Sequence, residues 1–336
     1  MNIFKLSLKI IVQICFVIIF FSTLQAKNPD KFDEGGYISD YFSGILFLKE
    51  NQYNESYKLL SKLQGLEKSH TNYSQKFLHS LVNLGKFNEA FDYSKKLEKR
   101  KLNNFESDLI IGVYYLKNQN YNLAQKYFLK IKNRKSTFLL NNFVSNSLLN
   151  WASFNKLDLD NALKTINSTE SRFKNLKNIE NVFLHCFYKS TKTEFFFKKL
   201  TSDKKIDFSR YHYFYAMHLV NSNKIDRAKK IINSSLILYP RNLLLKQYKL
   251  DLSNNKFQNN FNCQNQSHVI AEILYITANA LSSQSIFTFS NFYLNLSKYL
   301  NDNFYSYNTL LAENFYKIDN FTQAKKIYNE VGKKGN

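Results

Sequence analysis

The chain has 336 residues, with only eight glycines, two prolines and three cysteines, which excludes collagen, a proline-rich linker, a loop-rich β fold and a disulfide-built scaffold. A composition 44 % hydrophobic and 16 % aromatic excludes a disordered chain, and the length exceeds one ordinary domain of ~150 residues. The net charge of +21 invites a nucleic-acid reading, but Lys, Asn, Ile, Phe and Tyr are abundant together, as an AT-rich coding bias produces, and Lys95-Lys96, Lys229-Lys230 and Lys325-Lys326 fall on solvent faces of helical patterns. No nucleic-acid partner is therefore expected.

Lys5 and Lys9 precede an apolar run from Ile10 to Phe21, broken only by Gln13. Ser22 to Ala26 and a polar stretch follow, and no acidic residue occurs before Asp30. This is the order of a secretory signal, with residues 1–26 removed after Ala26 and the remainder periplasmic or secreted. Twelve residues make about 18 Å of helix, short of the ~30 Å hydrocarbon core, so a stable membrane span is not the first reading. An uncleaved N-terminal anchor is the alternative. Cys15 follows no small residue and does not look like a lipoprotein cysteine. Without the signal the chain loses only Lys5 and Lys9 and carries +19.

Self-similarity governs the rest. Tyr53-Asn54-Glu55-Ser56, Phe87-Asn88-Glu89-Ala90, Tyr121-Asn122-Leu123-Ala124 and Phe321-Thr322-Gln323-Ala324 share an aromatic residue three before a small one. Ser56, Ala90 and Ala124 are 34 apart, as are Ser290 and Ala324. Ala162 and Ala228 head similar segments, and the interval between them leaves room for one degenerate copy around Phe195. Twelve residues before each small position stands Gly44, Leu78, Gly112, Asn150, Ala216, Ala278 or Ala312. Two helices joined by a short turn need small side chains where their axes approach to ~8–10 Å. Large residues three positions on, such as Phe47, Tyr115 and Phe315, fill the flanks. The pattern predicts a chain of helix–turn–helix units.

On these residues the chain resembles the tetratricopeptide repeat (TPR) family, whose 34-residue unit has Gly or Ala in its first helix and Ala with an aromatic residue in its second. The clearest copy is Asp108 to Ile131, with Gly112, Tyr115, Tyr121, Ala124 and Phe128 at family positions; only Pro240 keeps the terminal proline, and the aromatic residue that opens the family pattern is absent. The resemblance implies an all-α fold, an alpha-alpha superhelix of antiparallel helix pairs. Repeats are expected over 27–253, an Asn-rich loop over 254–267 and further repeats over 268–336. The last helix, Phe321 to Val331, has no polar capping helix after it, so this end is expected to meet a partner, another copy or further repeats. In this the chain is similar to longer secreted TPR proteins of alphaproteobacteria.

Chemical motifs are scarce. There is no Gly-x-Gly, His-Glu-x-x-His, Cys-x-x-Cys or Gly-x-Ser-x-Gly, and no cofactor or metal site is expected. His212 and His218 are six apart and fall on different helix faces, while His185-Cys186 reads as packing. Cys186 and Cys263 either pair in an oxidising compartment or remain free thiols. Glu106, Glu272 and Glu313 map near the groove without a supported carboxylate pair, so no catalysis is expected.

The resemblance also implies a concave groove lined by first helices. Carried over unit by unit, its positions are Tyr41 and Ile45; Gln75, His79 and Asn83; Leu109 and Val113; Trp151 and Phe154; Tyr213 and Met217; and Tyr275 and Asn279. The family's carboxylate clamp does not map, since Tyr41, Ile45, Gln75 and His79 stand there. The expected function is an exported scaffold that holds an envelope protein in this groove. The alternative is binding of an envelope polymer or an anionic lipid surface through the basic exterior.

Overall fold

The computed structural model describes residues 34–134, 139–203, 206–257 and 260–335; the segment read as a signal lies outside them. Among the described residues there are seventeen α-helices and no strand. Six hairpins come first: α1 (Glu34–Lys49) with α2 (Tyr53–Leu60), α3 (Thr71–Asn83) with α4 (Phe87–Lys99), and α5 (Phe105–Lys117) with α6 (Tyr121–Lys132). They continue with α7 (Leu139–Ser153) and α8 (Leu159–Asn167), α9 (Lys174–Phe187) and α10 (Thr193–Thr201), and α11 (Ser209–Asn221) and α12 (Ile225–Leu238). A lone helix α13 (Leu243–Ser253) is followed by two further hairpins, α14 (Gln266–Ser283) with α15 (Phe287–Leu300) and α16 (Ser306–Lys317) with α17 (Phe321–Gly335).

Small residues close each pair as the spacing predicts. A Cβ on Gly44 would lie 2.8 Å from the Leu60 side chain, and one on Gly112 only 2.4 Å from the Phe128 ring. Both partners lie sixteen residues downstream, so the two units use one contact. The second unit reverses the sizes at those positions, with Leu78 and Ser94 both fully buried. Asn104 caps α5 through a reciprocal capping box with Ser107, and Asn120, Asp158, Asn242 and Asn265 each accept a backbone N–H at a helix start. A buried N-terminal turn would otherwise leave those donors unpaired.

Most first helices end alike. Asn51, Gly85, Gln119, Lys189, Asn223, Ser285 and Asp319 all have φ between 54° and 72°. The next N–H then reaches back five residues, from Gln52 to Phe47, Asn120 to Tyr115 and Asn320 to Phe315. This left-handed cap satisfies carbonyls the helix cannot and turns the chain into its second helix. The large flanking residues Phe47, Tyr115 and Phe315 are the acceptors. Each second helix packs on the first helix of the following unit, with ion pairs such as Arg227–Glu194 at 2.8 Å and Lys130–Glu98 at 2.6 Å tying unit to unit.

The degenerate unit is α9–α10, where Phe196, stacked on His185, takes the place that other second helices give to Ala or Ser; Phe195 beside it is exposed. Helix α13 ends at Asn255 with the same left-handed turn, and Lys256 N–H reaches Asp251. It is therefore a first helix that lacks its second. In its place the chain turns inward, and Cys263 meets Cys186 of α9 in a disulfide with Cα atoms 5.9 Å apart. The loop expected to run to residue 267 ends at 265: Gln266 and Ser267 open α14 and are buried.

The last two hairpins do not extend the stack outward. Helix α14 packs against α7, and α15 against α3 and α5. The C-terminal segment touches all six leading units. Thr288 bonds the Leu48 carbonyl, Phe292 stacks on His79 at 4.3 Å, and Ser267 bonds the Leu116 carbonyl. Gln266 donates to the Trp151 carbonyl at 2.6 Å, Phe261 meets Phe183, and Tyr213 stacks on Phe304. First helices face this inner hairpin and second helices face out.

Candidate functional site: the inner face and the hairpin that fills it

An open concave groove was the expectation; the structure places α14–α15 against the inner helices at the centre of that face. Trp151 and Phe154 are fully buried, His79 is 1 % exposed, Tyr213 3 % and Met217 4 %. Leu109 and Val113 are equally core. The remaining positions scatter. Gln75 and Asn83 are half-buried, bonding Glu106 at 2.6 Å and Asn295 at 3.2 Å. Tyr41 and Ile45 are half-buried on α1, where Tyr41 Oη lies 2.5 Å from His70 Nε2. Tyr275 lies under the Arg210 guanidinium, 3.8 Å away, and Asn279 is exposed. The carried-over positions thus form no single open surface.

The inner face is polar where the hairpin meets it. Glu106 sits between the Gln75 amide and the His79 ring, whose Nε2 is 3.8 Å from its carboxylate. Burial would push the Glu106 carboxyl up, but His79 and Gln75 outweigh it and hold it below its ordinary value. Asn291 donates to Tyr53 Oη at 2.7 Å and to Asn51 at 3.3 Å, and Asn314 donates to Asn291 and Ser290. Farther round, Arg210 grips Glu272 with two bonds of 2.6 and 2.8 Å and reaches Ser306 at 2.5 Å, with aromatic rings of Tyr275 and Phe304 packed about it. Of the three glutamates considered for catalysis, Glu106 and Glu272 therefore serve packing contacts, and Glu313 is exposed on α16.

One buried carboxylate forms no ion pair among the described residues. Glu180 on α9 is 2 % exposed and accepts from Trp151 Nε1 at 3.1 Å. Burial pushes its pKa up to about 7, although bonds from Ser147 and Trp151 work against that rise. Sequence reading missed this residue because one glutamate in an Asn- and Lys-rich segment carries no pattern. It missed Arg210–Glu272 for a related reason: the partners are 62 residues apart.

Two of the clefts lie at the seams. One of about 490 Å³ lies beside the disulfide, between Lys189, Glu194, Met217, His218 and Phe261. The other, of about 600 Å³, lies where α15 and α17 meet the turns of the first two units, and is lined by Asn51, Asn83, Asn295, Asn320 and Lys326. Among the described residues no group of three or more His, Cys, Asp or Glu could hold a metal ion, and no helix is long and apolar enough to cross a membrane.

No family model matches the sequence, and no curated protein matches it. Among solved structures the chain is similar to the apo form of the quorum sensor NprR from B. thuringiensis, at 13 % sequence identity and a TM-score of 0.43, covering 97 % of this chain and 95 % of that one.

Proposed function

We propose that the chain is an exported, non-enzymatic helical-repeat scaffold that engages its envelope partner from the outside of the superhelix. The observation that carries this reading is the occupation of the inner face by the returning C-terminal segment: His79 stacks on Phe292, the Trp151 carbonyl accepts from Gln266 and Tyr213 stacks on Phe304. What a partner meets is then the row of second helices and the solvent-facing side of α1, where Ile38, Phe42 and Leu46 stand 54 to 65 % exposed at helical spacing. Export is supported by the charge and hydropathy order of residues 1–26 and by the Cys186–Cys263 pairing, since disulfides persist in oxidising compartments.

Two measurements test the reading. Residues 1–33 fused to alkaline phosphatase should yield active enzyme outside the cytoplasm; an inactive fusion refutes export. A photo-crosslinking residue at Lys164, on the exterior, should give a discrete adduct in living cells, while one at His79 should give none. Adducts from His79 alone would return recognition to the groove. The same cross-linking at Arg100 and Phe42 maps which part of the exterior is used.

A further inference from the structure

The second helices repeat one charge at one register. Their fourth residue is the small one that meets the first helix, or Phe196 in α10. Their sixth residue is Lys58, Lys126, Lys164, Lys198, Lys230 and Lys326 in α2, α6, α8, α10, α12 and α17. Helix α4 has Asp92 there, and α15, the helix turned inward, has Phe292. All six lysines are exposed. Lys58 pairs with Glu55 at 2.9 Å, and no ion pair is formed by the other five among the described residues. Coding bias explains abundant lysine but not its register: no other position along the first ten residues of these helices holds lysine in more than three of the eight units.

Lys126, Lys164, Lys198 and Lys230 belong to four consecutive units. Successive units stack at about a helix diameter, on the order of 10 Å, so four lysines outside any ion pair form one file across the exterior. The exterior is convex, because the inner side of the six leading units wraps the returning C-terminal segment. A flat bilayer touches only the crest of a convex row, whereas a flexible chain follows it from end to end.

Building on the reading above that the exterior is the working surface, we propose that this file binds an extended anionic polymer, one bearing phosphate or carboxylate on successive repeats. Each lysine meets one anionic group and releases its counterion, so affinity depends steeply on salt.

The test uses the exported chain, long-chain inorganic polyphosphate and vesicles containing anionic phospholipid. Binding to polyphosphate at low salt is expected to weaken at least ten-fold in the variant with Lys126, Lys164, Lys198 and Lys230 all changed to Gln, with a shallower salt dependence. The control variant changes Lys62, Lys99, Lys246 and Lys325 to Gln, for an equal loss of charge, and is expected to bind within about two-fold of wild type. Both variants are checked for an unchanged helical spectrum and melting temperature, since every altered side chain is solvent-facing. Equal loss in both variants would mean net charge alone acts and overturns the file. Absence of polyphosphate binding overturns it too, as would vesicle binding that depends on the same four lysines while polyphosphate binding does not. A protein that is exported and cross-links at Lys164, yet shows no dependence on these four lysines, retains the scaffold reading and loses this one.

Discussion

Replacing Glu180 by Gln separates ionisation from shape at the most isolated carboxylate of the core. The side chain is 2 % exposed, forms no ion pair, and has Trp151 Nε1 3.1 Å from Oε1, a bond that a glutamine oxygen keeps. Its native pKa is raised to about 7 from an ordinary 4.5 by burial. Between those values the folded chain holds a proton that the unfolded chain has released, so stability is highest at low pH and falls as pH rises through the native value. At about 1.4 kcal/mol for each pH unit, the gap is worth about 3 kcal/mol. Glu180→Gln is therefore expected to exceed wild type by up to about 3 kcal/mol at pH 8 and to match it within about 1 kcal/mol at pH 5. Urea unfolding followed by tryptophan emission suits this measurement, because the chain has one Trp and it is the bonding partner. Parallel wild-type and variant curves between pH 5 and pH 8 would refute a neutral, proton-holding Glu180.

The Cys186–Cys263 bridge closes a loop of 77 residues, which in the chain-entropy account is worth about 4.5 kcal/mol, so Cys186→Ser should lower the urea midpoint sharply and dithiothreitol should do the same to wild type only. Gly112→Ala places a methyl 2.4 Å from the Phe128 ring and should cost about 1–3 kcal/mol by calorimetry, partly restored when Phe128 is shortened to Leu. The left-handed caps give opposite signs in one assay: Lys189→Gly, at φ 54°, should stabilise by about 1 kcal/mol and Gly85→Ala, at φ 72°, should destabilise by a similar amount. Trp151→Ala should cost about 3–5 kcal/mol of global stability, seen as a lower melting temperature; a variant that melts like wild type would show that the ring is not part of the core.

The hairpins were legible because their cause is local. A glycine or alanine twelve residues before another small residue marks where two helices touch, and Gly44 with Leu60 and Gly112 with Phe128 show the contact itself. What escaped was the direction in which the last units turn, because that depends on contacts more than 200 residues apart, such as Thr288 with Leu48. A signal was nevertheless present. Helix α4 carries six charged side chains in thirteen residues, whereas α14 has Glu272 and α15 has Lys298 as their only Asp, Glu, Lys or Arg. A second helix with Phe292 where six of its siblings keep lysine cannot face water, and a first helix with one Asp, Glu, Lys or Arg in eighteen residues needs cover on most of its sides. The family analogy supplied an open groove; the charge census of α14 and α15 argued against one. Likewise the left-handed caps at Gln119, Lys189 and Ser285 were hidden because residues other than glycine hold them.

Filling the groove changes what kind of object the repeats make. In an open solenoid each unit contacts only its neighbours, and stability is a sum of local terms. Here one hairpin with its flanking turns is shared by six units, through Thr288, Phe292, Ser267, Gln266, Phe261 and Phe304 in turn. Losing it would uncover the inner side of all of them at once. Those shared contacts span long stretches of chain, so the loops they close are expensive in entropy until most of the ring has formed. The disulfide and the Arg210–Glu272 pair both sit where the returning chain enters the inner face, on α9 and α11, the positions from which they shorten that search. An inner surface given over to cohesion leaves most of its side chains engaged with the protein itself. The asymmetry between that amide-bonded interior and a lysine-ordered exterior is what supports the proposal that recognition lies on the outside.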